Sequence, residues 1–186
     1  MSKDLLDMSK YESRGAYHIK KFLNDPVSHA QTIRILNEIF TLQPPSDYSI
    51  VDIGCGEGLY VHELSRLGYS IFGIDANELA IKLGHEHGIQ NIACQTVYEL
   101  DKHYFTALLF DSFEHFEHQE LAAKRISDYV EHSIFVLNPR WDCDFHADVL
   151  SPDDFCRLFP GFKIIKQFSL EVKDGKTKDF LYLVRK

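Results

Sequence analysis

Short apolar runs alternate with amphipathic stretches along most of the chain, and each period change marks a predicted element. Asp25-Pro26 reads as an N-cap followed by proline in the first helical turn. Val27, Ala30, Ile33, Leu36, Ile39 and Phe40 then recur at helical spacing, and Pro44-Pro45 ends the helix. Apolar runs at Tyr48–Ile53, Ser70–Ile74, Asn91–Thr96, Tyr104–Phe110 and Ser133–Leu137 predict strands, the last stopped by Asn138-Pro139. Between them lie helical patterns at Leu59–Leu67, closed by Gly68, at Asn77–His87, capped by Asn77 and stopped by Gly88, and at Glu117–Tyr129. Ser151-Pro152-Asp153-Asp154 opens another helix. Phe162–Val172 and Lys178–Arg185 are two strands joined by Asp174-Gly175, a hairpin signal.

Strands alternating with helices imply an α/β fold: a doubly wound, mainly parallel sheet with helices on both faces, its closing hairpin adding one antiparallel strand. The length of 186 residues suits one hydrophobic core. Residues 1–45 read as an N-terminal helical arm or cap, and 46–186 as a ligand-binding domain. Ligands of such sheets bind beyond the carboxyl ends of the strands, where strand order reverses.

Composition narrows the function. The 28 acids against 20 bases give a net charge of −8, and no basic cluster is denser than Lys20-Lys21 or the stretch Lys173 to Lys178. That balance disfavours nucleic acid as a partner, since phosphate neutralisation needs clustered cations. No apolar run is long enough to cross a bilayer, and the first residues are acidic without an apolar signal core, so no membrane association and a cytoplasmic location are the expectations. Cys55, Cys94, Cys143 and Cys156 form neither a C-x-x-C pair nor a zinc spacing and read as reduced. Nothing in the pattern sets the oligomeric state.

The informative segment is Val51-Asp52-Ile53-Gly54-Cys55-Gly56-Glu57-Gly58, a glycine turn between a strand and an amphipathic helix. Glycine allows the tight turn and a close approach of backbone to ligand. Asp75 follows Gly54 by 21 residues, at the end of the second strand, where a carboxylate can accept from ribose hydroxyls. The spacing is G-x-G-x-G rather than the dinucleotide G-x-G-x-x-G, and Leu59 stands where the last glycine would fall. This argues against NAD. Asp52 and Glu57 flank the turn, favouring a cationic ligand over a pyrophosphate.

This segment resembles motif I of the class I S-adenosylmethionine-dependent methyltransferases. Gly73-Ile74-Asp75 resembles the family's ribose-binding motif, and Leu108–His115 its D-x-x-E-H stretch after strand four. The resemblance covers residues 48–186. It implies a Rossmann-like, seven-stranded sheet of order 3-2-1-4-5-7-6 and a methyltransferase activity. It also implies S-adenosylmethionine as cofactor, held by Asp52, Gly54, Cys55, Gly56, Gly58, Asp75, Ala76, Thr96, Val97 and Asp111. One departure stands out: Gln95-Thr96-Val97 occupies the place after strand three where the family carries an acid for the adenine amino group, and Glu99 and Asp101 are the nearest acids.

Methyl transfer from an activated sulfonium needs alignment, exclusion of water and, for a hydroxyl or amine acceptor, a base. His115, beside Asp111 and Glu114, and His146, in the loop Arg140-Trp141-Asp142-Cys143-Asp144-Phe145-His146, are the candidate catalytic residues, because imidazole titrates near neutrality. Glu114 and His115 could instead cap the following helix, and the loop could be ordinary surface with Trp141 and Phe145 as anchors. Trp141 and Phe145 otherwise suit an apolar wall for a small-molecule acceptor. Asp111, Glu114, His115 and His146 also resemble the metal ligands of small-RNA 2′-O-methyltransferases, which carry Glu where this chain has Asp111; the expected metal content is none. The competing readings are a cofactor-binding protein without turnover and a metal-assisted RNA 2′-O-methyltransferase.

Overall fold

A computed structural model describes residues 24–141, 150–172 and 175–186. Its elements are α1 (Pro26–Leu42), β1 (Ser49–Ile53), α2 (Leu59–Arg66), β2 (Ser70–Asp75), α3 (Glu78–Glu86), β3 (Ile92–Cys94), β4 (Tyr104–Phe110), α4 (Gln119–Tyr129), β5 (Val130–Pro139), α5 (Pro152–Leu158), β6 (Phe162–Glu171) and β7 (Thr177–Arg185). The seven strands form one sheet of order β3-β2-β1-β4-β5-β7-β6. β1 to β5 are mutually parallel, and β7 runs antiparallel to both β5 and β6. The expected fold class and strand order are thus what the chain adopts.

The caps explain where the helices begin. Asp25 accepts from the Val27 N–H, Asn77 from Leu79 and Ala80, and Ser151 from Asp154, whose carboxylate reaches back in a capping box. Alternation along the strands sends side chains to two cores. Val51, Ile53, Ala107, Leu109, Ile134 and Val136 pack with Ala122, Ala123 and Ile126 of α4 and Phe155 of α5. Ile50, Leu108, Phe110, Phe135 and Leu137 pack with α1, α2 and α3 on the opposite face.

Two sequence expectations need correction. The buried face of α1 is Thr32, Ile35, Leu36 and Ile39, whereas Val27, Ile33 and Phe40 are exposed. Its apolar stripe is wider than the sheet can cover, and the network at Gln43 sets the helix rotation. Gln43 is buried, and its Oε1 accepts from the Thr106 hydroxyl at 2.8 Å and the Ser133 hydroxyl at 3.0 Å. Second, Asn138-Pro139 does not stop β5. Both residues pair with β7, Asn138 opposite Asp179 and Pro139 opposite Lys178. Proline is tolerated there because successive backbone N–H groups of a strand face opposite sides: the bond to β7 is made by the Arg140 N–H to Thr177 O, and the Pro139 nitrogen faces away from that ladder.

Strand order reverses at β1, which lies between β2 and β4. The groups that could bind a ligand therefore gather beyond the carboxyl ends of β1, β2, β4 and β5. No helix of the described residues is long and apolar enough to cross a membrane.

Candidate active site

The glycine turn leaves β1 and enters α2 with Gly54, Gly56 and Gly58 all at positive φ, of 80°, 55° and 86°. Gly54 is held tightest. A Cβ there would lie 2.4 Å from Ser112 Cβ, so the turn and the end of β4 are in backbone contact. Gly58 faces the other way, where a Cβ would crowd Ile89 and Ile92 at 3.1 Å, so it serves helix packing. The Cys55 side chain lies under Gly73, whose missing Cβ would meet its sulfur at 2.8 Å. Burial and the nearby acids raise the Cys55 thiol.

Asp75 ties this turn to the next one. Its carboxylate accepts from the Gly56 N–H and the Asn77 N–H, each at 2.8 Å. Ala76, next in sequence, is exposed at the same strand end, and its carbonyl accepts from the Cys94 thiol.

Several acids crowd around the turn with little to satisfy them. Asp52 is 2% exposed and Glu57 3%, and Asp52 Oδ2 and Glu57 Oε2 have no hydrogen-bond partner among the described residues. Burial, reinforced by Asp75, pushes the Asp52 carboxyl up to about 8.

Across the turn, Asp111 ends β4 in the left-handed region at φ 50°, its N–H donating to Leu137 O at 2.9 Å. One of its oxygens receives the Lys178 ammonium, and the other is buried without a partner among the described residues. Glu114 is 2% exposed with Oε2 likewise unpartnered, and burial plus Asp111 raises its carboxyl. His115 Nε2 lies 3.8 Å from Glu114 Oε1. Neither residue caps the next helix: they sit in a 3₁₀ turn, and the N-cap of α4 is His118, without a side-chain cap bond.

After β3, Thr96 donates both its N–H and its hydroxyl to Glu99, at 2.9 and 2.8 Å. Glu99 is thus folded back on the chain, and the two bonds hold its carboxyl below the ordinary value. The Val97 side chain is buried in the core.

Some site residues carry no strong signal in sequence. Tyr60, in the first turn of α2, packs edge-on against Phe110 at 4.7 Å and is hydrogen-bonded to Thr32 of α1, and burial raises its phenol. Ser112 seals the turn at Gly54. Lys178 arrives from β7, some 67 positions from Asp111. Only the three-dimensional pairing of β5 with β7 brings it there. Trp141 stands at the end of β5, whereas His146, Phe145 and Cys143 lie outside the described residues. Among the described residues, no group of three His, Cys, Asp or Glu side chains is arranged to hold a metal.

The buried acceptor atoms and the carboxylate at the end of β2 fit an adenosyl ligand bearing positive charge. Comparison with known proteins agrees. Residues 26–167 match the family model described as a methyltransferase domain. The ubiquinone biosynthesis O-methyltransferase of Bartonella tribocorum is 35% identical over 71 residues, which are 38% of this chain and 24% of that protein. The mitochondrial enzyme of the same name from Bos taurus is 34% identical over 80 residues, 41% of this chain and 22% of that protein. The chain's matching segment therefore spans about a quarter of the length of these curated relatives. Among solved structures, magnesium protoporphyrin IX methyltransferase from Synechocystis PCC 6803 with bound S-adenosylmethionine superposes with TM-score 0.76 at 15% identity, covering 100% of both chains. The 1,6-didemethyltoxoflavin-N1-methyltransferase of Burkholderia thailandensis gives TM-score 0.73 at 13% identity, covering 100% of this chain and 93% of that one. These structural likenesses establish the fold. The family match covers most of the chain, and the chain belongs to the methyltransferase-domain family, whose cofactor is S-adenosylmethionine.

Proposed function

We propose that this protein transfers the methyl group of S-adenosylmethionine to a small-molecule acceptor. The observation that carries the reading is the set of buried carboxylate oxygens without partners around the glycine turn, on Asp52, Glu57, Asp111 and Glu114. Uncompensated buried acids are costly, and a cationic ligand removes the cost.

In this reading the backbone of Gly54, Cys55 and Gly56 approaches the cofactor, Asp75 accepts from its ribose hydroxyls, and Asp52 faces its positive end. Gly58 shapes the turn from behind. Ala76, Thr96, Val97 and Asp111 line the remaining edge, with the Val97 backbone near the adenine. The bound cofactor supplies an activated methyl group, and the protein's own task is to align an acceptor and exclude water. His115 takes the acceptor's proton on its ring, beside Glu114, and His146 is the alternative base. The acceptors named for the relatives and neighbours are small molecules, which supports the same class here. The acidic balance, 28 acids against 20 bases, weighs against nucleic acid as the acceptor.

Calorimetry with S-adenosylmethionine and S-adenosylhomocysteine, in two buffers of different ionisation enthalpy, tests it. Because Asp52 holds its proton up to about 8 in the free protein, binding a cation beside it should release protons at pH 7. Affinity should therefore rise between about pH 6 and 7.5. No heat of binding with either compound would remove the assignment.

A further inference from the structure

The fold carries Lys176 and Lys178, two lysines of the chain's basic stretch, to the rim of the cofactor nest. Pro139 at the end of β5 pairs with Lys178 at the start of β7, and the Arg140 N–H donates to Thr177 O at 3.0 Å. The start of β7 is thereby fixed beside the ends of β4 and β5. Lys178 reaches Asp111 with its ammonium. The Lys176 and Lys178 ammoniums lie 5.2 and 5.8 Å from the ring centroid of Trp141. Arg140 joins them at the rim, held 3.0 Å from Asp179. Two ammoniums and a broad indole face thus gather at the lip of an otherwise acidic site, in a chain of net charge −8.

Neutralising Asp111 accounts for Lys178 but not for Lys176, which is exposed and faces the same ring. The arrangement instead matches a flat ligand with an acid at one end. The interior, lined by the unpartnered acceptor oxygens of Asp52, Glu57, Asp111 and Glu114, offers an anion no partner, and the lysines hold one at the lip. This fixes an orientation, with the acid outward and the opposite end toward the site. Trp141 offers the apolar face against which a planar ligand lies.

We propose that Lys176 and Lys178, flanking Trp141, bind the acid group of a planar organic-acid acceptor, which competes with Asp111 for Lys178. The proposal rests on the methyl-transfer reading and names the substrate class of that site. When the acid takes the Lys178 ammonium, the Asp111 carboxylate turns from its lysine to the pocket.

The test uses protein saturated with S-adenosylhomocysteine and titrated with benzoate and with benzamide, which match in shape and differ in charge. Benzoate should bind about tenfold more tightly, the scale of one charge-assisted hydrogen bond. The preference should shrink with added salt. It should also shrink in both K176M and K178M, and persist in K163M, whose lysine lies at the other end of β6 opposite Val184. K176M changes an exposed side chain and carries the test even if K178M folds poorly. Equal affinities, no saturable binding of benzoate, or a preference untouched in K176M overturns the proposal, while bound S-adenosylhomocysteine leaves the methyl-transfer reading standing. Failure of S-adenosylhomocysteine to bind overturns both.

Discussion

At Asp52 a carboxylate suited to a cationic ligand is placed where burial and Asp75 disfavour its charge. Its ordinary value is 3.8, and in the folded protein it is pushed to about 8, so the folded state keeps a proton that the unfolded chain releases. The stability it contributes is complete below about pH 4 and is lost as pH rises toward 8. Replacing Asp52 with Asn should remove this dependence. The melting temperature of D52N, relative to the wild type, should rise steadily between about pH 4 and 8, while affinity for S-adenosylmethionine falls about tenfold or more. A constant difference in melting temperature across that range would mean Asp52 is ionised in the free protein. Gly54 makes a different demand. Its φ of 80° and the 2.4 Å approach to Ser112 both forbid a Cβ, whereas Gly88, at φ 85°, has open space around it. Denaturant titration should show G88A losing about 1 kcal/mol and G54A at least about 2 kcal/mol, since only the second combines backbone strain with a clash. Glycine was readable at both positions from its place after a strand and after a helix. The identity of the neighbour across the turn, Ser112, was not.

Elements were legible where one local signal decided them. Caps at Asp25, Asn77 and Ser151, and glycines at 68 and 88, marked helix ends that the structure reproduces within a residue or two. The rotation of α1 was not legible, because its apolar residues ring too much of the helix to choose one face. The choice falls to a polar anchor: Gln43 accepts from Thr106 and Ser133, and its carbonyl accepts from the Tyr69 hydroxyl at 2.7 Å. The two hydroxyls lie 2.8 Å apart, so removing the side-chain amide leaves one of them to donate to the other and one buried hydroxyl short of an acceptor. Q43L should therefore lower unfolding stability by about 2 kcal/mol. Its affinity for S-adenosylhomocysteine should stay unchanged, since the network lies at the opposite end of β4 from Asp111. A loss of affinity matching the loss of stability would show that α1 transmits strain to the site.

Across the whole molecule, the unsatisfied acids at one end of the sheet make the ligand-free protein less stable than its core alone would be. Ligand at a hundredfold excess over Kd should add about 2.7 kcal/mol, a rise in melting temperature of roughly 5–10 °C for a domain of this size. A scan with S-adenosylhomocysteine showing no shift would contradict the site. What the chain alone determined was the α/β class, the glycine turn and the carboxylate at Asp75, because each depends on residue periods and spacings within about 25 positions. The structure decided the rest. Lys178 beside Asp111, Thr32 beside Tyr60 and Ser112 beneath Gly54 are meetings between distant segments. They follow from strand order and from the antiparallel return of β7, which place residues by topology rather than by sequence distance.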